Sequence, residues 1–122
     1  MTESNADLAR RGYESIMRGD LDAIGELLDP DVKWHAGDPS IGCQNRKQAL
    51  QWMRRNWLGR GAPPGELVEI LDAGDKVVAI MRRTGEDGEP ELVANLTTFR
   101  NGKVVEMVHY PNPDDARGAA GI

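Results

Sequence analysis

Thr97-Thr98-Phe99-Arg100-Asn101-Gly102-Lys103-Val104-Val105-Glu106-Met107-Val108-His109-Tyr110 reads as two strands joined by a tight turn. Asn101-Gly102 is a strong hairpin signal, because both central residues of such a turn need φ > 0. Leu92, Val93, Leu96 and Phe99 precede the turn, and Val104, Val105, Met107 and Val108 follow it. Three polar residues, Asn95, Thr97 and His109, are set among them. If the hairpin curls around helices from the N-terminal half, one of its faces lines a pocket.

The period of two extends backward from this hairpin. Residues 67–71, 76–84 and 91–100 alternate as strands, with turns at Ala73-Gly74-Asp75 and around Gly85 and Gly88-Glu89-Pro90. A breaker cluster with two prolines, residues 59–65, separates these strands from a region of period 3.6. There Ala6, Ala9, Tyr13, Ile16 and Met17 share a helical face, with Thr2, Ser4 or Asn5 as the cap. Gly19 ends that helix. Asp20 caps a second one bearing Leu21, Ile24, Leu27 and Leu28, and Pro30 is expected to close it. Val32-Lys33-Trp34-His35 alternates as a short strand. Residues 46–58 form a third helix, with Ala49, Leu50, Met53 and Trp57 on one side and Trp52 off the stripe. A short helix with proline at its start follows from Pro113. The pattern predicts one α+β domain over 1–122: three N-terminal helices on a strongly curved antiparallel sheet, plus a short C-terminal helix.

Composition narrows the partners. The 122 residues carry a formal charge of −5 and a pI near 5.0, which argues against nucleic acid and anionic membrane. Cys43 is the single cysteine, so the default is a reducing cytoplasm. The N-terminus has no apolar h-region, and the longest apolar run, Val77-Val78-Ala79-Ile80-Met81, is too short to span a bilayer.

Three motifs resemble the nuclear transport factor 2-like superfamily in its SnoaL-like branch, the group that is polyketide-cyclase-like and ketosteroid-isomerase-like. They are Gly19-Asp20-Leu21 through Pro30-Asp31-Val32-Lys33-Trp34, then Asn45-Arg46-Lys47-Gln48, then Arg100-Asn101-Gly102-Lys103-Val104-Val105 to Tyr110. The tail from Asp114 to Ile122 also resembles the ending of many small members. The resemblance covers nearly the whole chain in order. It implies a cone in which a bent sheet and three helices enclose an apolar pocket, and a homodimer through the outer sheet face. It does not imply one reaction, since such folds carry isomerases, cyclases, epoxide hydrolases, dehydratases and plain binding modules.

A ketosteroid isomerase works with an aspartate base and an oxyanion hole of tyrosine and protonated aspartic acid. Carried over by position, the base falls on Ala36, the tyrosine on Gly12 beside Tyr13, and the second acid near Leu96, so none is kept. The cyclases that the chain resembles place an acid late in the last strand, where this chain has His109. A histidine can serve as a base at neutral pH, and Asn95 can polarise a carbonyl. The plainer reading of His109 is a half-buried histidine bonded to the sheet or facing an interface. His35 alternates away from Trp34 and is expected outside or toward the tail. Asp38 reads as a turn residue or as an acid over the pocket mouth. Arg83 shares a face with Met81 and reads as a solvated edge arginine or as a partner for an anionic substrate. Cys43 reads as inert. Two histidines are too few to argue for a metal.

The favoured expectation is a small-molecule-binding protein with cofactor-free proton-transfer chemistry of the isomerase, cyclase or hydratase kind on an apolar or aromatic ligand. His109, Asn95 and Tyr13 are its catalytic candidates, and Trp34, Trp57, Met53, Met81, Thr97 and Met107 its pocket wall. The alternative is a non-catalytic ligand-binding or dimerisation module of the same fold. An epoxide hydrolase would need an Asp-Arg-Asp cluster, which the inward positions do not supply.

Overall fold

The computed structural model describes residues 4–38, 40–58, 65–85 and 87–122, with Trp57 and Leu58 described by backbone alone. The expected cap at Thr2 and loop residues 59–64 lie outside these residues.

Local chemistry sets the helix boundaries. Ser4 Oγ accepts from the Asp7 N–H while the Asp7 carboxylate accepts from the Ser4 N–H, a capping box that starts α1 (Asn5–Arg18). Asp20 accepts from the Ala23 N–H and starts α2 (Leu21–Leu27). Pro30 does not close α2. The chain passes directly into β1 (Leu28–His35), which contains the proline. β1 is an edge strand, the position where a missing N–H is tolerated. Asn45 caps α3 (Arg46–Met53), and a π-helical turn over Arg54–Leu58 continues it. Met17, expected on the apolar face of α1, is 56% exposed, and Leu8 is buried in the core.

Four strands follow: β2 (Glu66–Ala73), β3 (Lys76–Thr84), β4 (Pro90–Arg100) and β5 (Lys103–Tyr110). They pair antiparallel in chain order. β1 joins the far edge, parallel to β5, so the order is β1-β5-β4-β3-β2 and the sheet is mixed rather than wholly antiparallel. Asn101 (φ 53°) and Gly102 (φ 76°) form the two-residue turn between Arg100 and Lys103, which pair.

One irregularity decides which side chains face the helices. Phe99 pairs with Val104, but Thr98 pairs with Glu106, so Val105 is an extra residue in β5. The bulge puts both Val104 and Met107 against the helices and leaves Val105 half-exposed. Beyond it, Asn95 lies opposite His109. Continued from Phe99–Val104 without the bulge, the register would set Asn95 opposite Val108.

Two apolar layers result. Leu8, Ile16, Ile24, Leu27, Val32, Met53, Val77, Phe99 and Val104 form the core between α1–α3 and the sheet. On the outer face Val78, Ile80, Ala94, Leu96 and Val108 pack with Ala116 of α4 (Pro113–Ala120). The resemblance implies pairing through this face, yet α4 covers these positions within one chain.

Candidate functional site

The site forms where inner-face residues of β3, β4 and β5 meet β1 and α3. Asn95 is 5% exposed in the middle of β4. Its cross-strand partner His109 places Nδ1 3.3 Å from Asn95 Oδ1, and Asn95 Nδ2 donates to Tyr13 Oη at 2.9 Å. One amide thus joins β5 to α1. The amide oxygen can only accept, so in the neutral imidazole Nδ1 carries the hydrogen and Nε2 the lone pair. Burial, helped by the charge of Arg83 and opposed by Glu91, moves the His109 pKa below its ordinary value. The ring is thereby held neutral. Burial pushes Tyr13 up to about 12, against a smaller opposing effect of its bond from Asn95, so the phenol stays protonated.

Two cavities meet at this ladder. An open cleft of about 660 Å³ contains His109, Asn95, Trp34, Trp52, Met81 and Arg83 among its lining residues. An inner cavity of about 50 Å³ touches Tyr13, Thr97, Met53 and Met107, with Trp34 and Asn95 bordering both spaces. The candidates therefore divide. His109, Asn95, Trp34 and Met81 border the cleft, whereas Tyr13, Thr97, Met53 and Met107 lie behind it. The side chain of Trp57 lies outside the described residues.

Trp52 was not expected at the site. Its ring stands edge-on to Trp34, with centroids 4.7 Å apart, and the pair makes an aromatic corner in the cleft. Its position off the helix stripe was the available signal, since a large aromatic outside the core-facing side has to face something else. Gly42 lets the following loop pair closely with β1 at Trp34. It has φ 131°, and a Cβ there would run into the Trp34 carbonyl oxygen, which accepts from the Cys43 N–H.

The other candidates are occupied elsewhere. His35 Nδ1 accepts from the Gly37 N–H at 3.0 Å, and Nε2 lies 3.0 Å from Glu106 Oε2. Both ring nitrogens are engaged, Nε2 tying β1 to Glu106 of β5 and Nδ1 within the turn that follows β1, although His35 also borders the cleft. Asp38 accepts from Ser40 Oγ at 2.7 Å and from the Ser40 N–H at 2.9 Å. These bonds hold its carboxyl below the usual range, so it remains a charged turn residue. Burial raises the Cys43 thiol above its ordinary value and keeps it un-ionised. Among the described residues no group of three or more His, Cys, Asp or Glu could hold a metal ion, and no helix is long and apolar enough to cross a membrane.

A mixed sheet packed on three helices is a fold this chain shares with solved nuclear transport factor 2-like proteins. Residues 9–107 match the model of the SnoaL-like domain, and the chain belongs to that family. Bal32a, from a soil-derived mobile gene cassette, is similar at 27% identity over 87% of each chain, with a TM-score of 0.71. An NTF2-like protein from Burkholderia pseudomallei matches at 20% identity over 99% of this chain and 100% of its own, TM-score 0.70. A polyketide cyclase-like protein from Sinorhizobium meliloti matches at 21% identity over 84% and 93%, TM-score 0.67. No curated protein sequence matches the chain.

Proposed function

We propose that the cleft binds an apolar or aromatic small molecule and that His109 moves a proton on it without a cofactor. The observation that carries this reading is the His109 Nδ1–Asn95 Oδ1 contact, which fixes the tautomer and leaves Nε2 as the lone-pair nitrogen. Arg83 acts with burial to keep that lone pair unprotonated near neutrality. Tyr13 supports Asn95 from behind. Enolisation of a carbonyl compound, followed by isomerisation or ring closure, fits one neutral base beside an amide. A cleft of this volume lies in the range of small-molecule sites.

The test is proton exchange. Aromatic and cyclic ketones incubated with the protein in D₂O should lose their α-proton signals faster than in buffer. His109→Ala should lower that rate by about 10² or more, the scale of a lost general base, with the fold retained by circular dichroism. Exchange at equal rates in wild type and variant would remove His109 from the chemistry. The second reading, a non-catalytic binding module, is favoured by one observation: among the described residues no carboxylate lines the cleft. It predicts tight ligand binding with no exchange.

A further inference from the structure

The chain holds 20 Asp and Glu against 15 Lys and Arg, yet among the described residues the only formally charged side chains lining the cleft are two arginines, Arg83 and Arg55. Arg83 ends the inner row of β3. Its cross-strand partner Glu91 takes the Nε–H at 2.8 Å from Oε1. That bond fixes the plane of the guanidinium, and among the described residues the Nη groups of Arg83 have no partner. Arg55 projects from the π-helical turn on the other wall and has no ion-pair partner among the described residues. Between them stand the Trp34–Trp52 corner, Met81 and Val93, surfaces suited to a flat ring.

We propose that the ligand of this cleft is a flat, conjugated carboxylic acid, its ring in the Trp34–Trp52 corner and its carboxylate against Arg83, with Arg55 as the second cation. The proposal rests on the cleft being the ligand site, and it names the class of ligand. A guanidinium whose Nε side is already held by a carboxylate presents its remaining N–H groups in a fixed fork, the geometry that binds a second carboxylate. The arrangement also favours an anion over a neutral analogue of the same shape, because two cations and, among the described residues, no carboxylate line the cleft.

The test compares 2-naphthoate with 2-naphthamide, probes of equal ring size that differ in charge, by titration calorimetry on the whole chain. Naphthoate should bind at least about tenfold tighter, the scale of one charge-assisted contact. The preference should shrink between 20 mM and 500 mM salt, following screening with a Debye length of about 10 Å at 0.1 M. Arg83→Gln should remove most of the preference by weakening naphthoate far more than naphthamide, and Arg55→Gln should remove a smaller part. Arg83 is at a strand end and half-exposed, so both variants should fold; the salt series on the wild type decides the matter independently. Equal binding of the two probes, or a preference that survives both substitutions, overturns the proposal and leaves the cleft as a site for neutral ligands. Binding of neither probe up to millimolar concentration overturns the reading of the cleft itself.

Discussion

Asn95 Nδ2 donates to Tyr13 Oη across 2.9 Å, and the two residues are 82 positions apart in the chain. The bond ties the centre of the sheet to the middle of α1 and fixes which way the amide faces. Tyr13→Phe keeps the ring and deletes the acceptor, leaving the NH₂ group of a buried asparagine unpartnered. The expected loss of stability is about 1–3 kcal/mol by urea denaturation. An unchanged midpoint would mean that the amide finds another acceptor.

The Asn101-Gly102 turn carries its own prediction. Gly102 sits at φ 76°, and a Cβ there meets nothing within 4 Å. The cost of Gly102→Ala is therefore conformational alone, roughly 1 kcal/mol for a non-glycine residue in the left-handed region. Asn101→Gly should be neutral within about 0.5 kcal/mol, since Asn101 at φ 53° already occupies a region that glycine enters freely. Comparable losses in both variants would show that side-chain contacts, and not φ, hold the turn.

Much of this fold was legible because local chemistry acts over a few residues. The Asn101-Gly102 turn, the cap at Asp20, and the alternation of β3 can each be read within a short window. The inner-face parity of Met81 and Arg83, and of Asn95 and Thr97, follows from unbroken alternation along β3 and β4. Three features needed the tertiary structure. The parallel pairing of β1 with β5 joins segments some 70 residues apart and has no local signature. Pro30 looks like a helix stop and becomes an edge-strand residue only once β1 has a sheet to border. The β5 bulge leaves a faint trace, the adjacent pair Val104-Val105 followed by Met107, where strict alternation is broken. That break gives His109, and not Val108, the place opposite Asn95. How the site works is a separate matter from where its residues lie, and the activity assay decides it.

Assembly is the third prediction. A homodimer through the outer sheet face remains our proposal, but α4 occupies part of that face. Leu92, 46% exposed and on the same side as buried Ala94, is the large apolar side chain left open there. The expected interface therefore combines the Leu92 end of the sheet with the outer surface of α4. Light scattering at micromolar concentration should give twice 13.4 kDa, and Leu92→Lys should halve that mass. A wild-type mass of 13.4 kDa under the same conditions would rule the dimer out.

His109 gives the last prediction, in two linked parts. Burial and Arg83 lower its folded-state pKa beneath the ordinary value of 6.5. The unfolded chain then binds more protons than the folded one in the window just below 6.5, so stability must rise with pH through that window. The destabilising effect of His109 is complete below its folded pKa and absent above about 6.5. His109→Gln should flatten this part of the stability–pH curve, measured by urea denaturation from pH 5 to pH 7. In the wild type, the ring ¹⁵N shifts should titrate with a midpoint below 6.5 and show Nδ1 protonated in the neutral form. The tautomer follows from the Asn95 Oδ1 contact, and the midpoint follows from burial, so the two readouts fail independently. A midpoint at or above 6.5 would mean that solvent or Glu91 outweighs burial. A neutral ring protonated at Nε2 would mean that the Asn95 amide is turned around, and the lone pair proposed to act as the base would then be committed to the sheet.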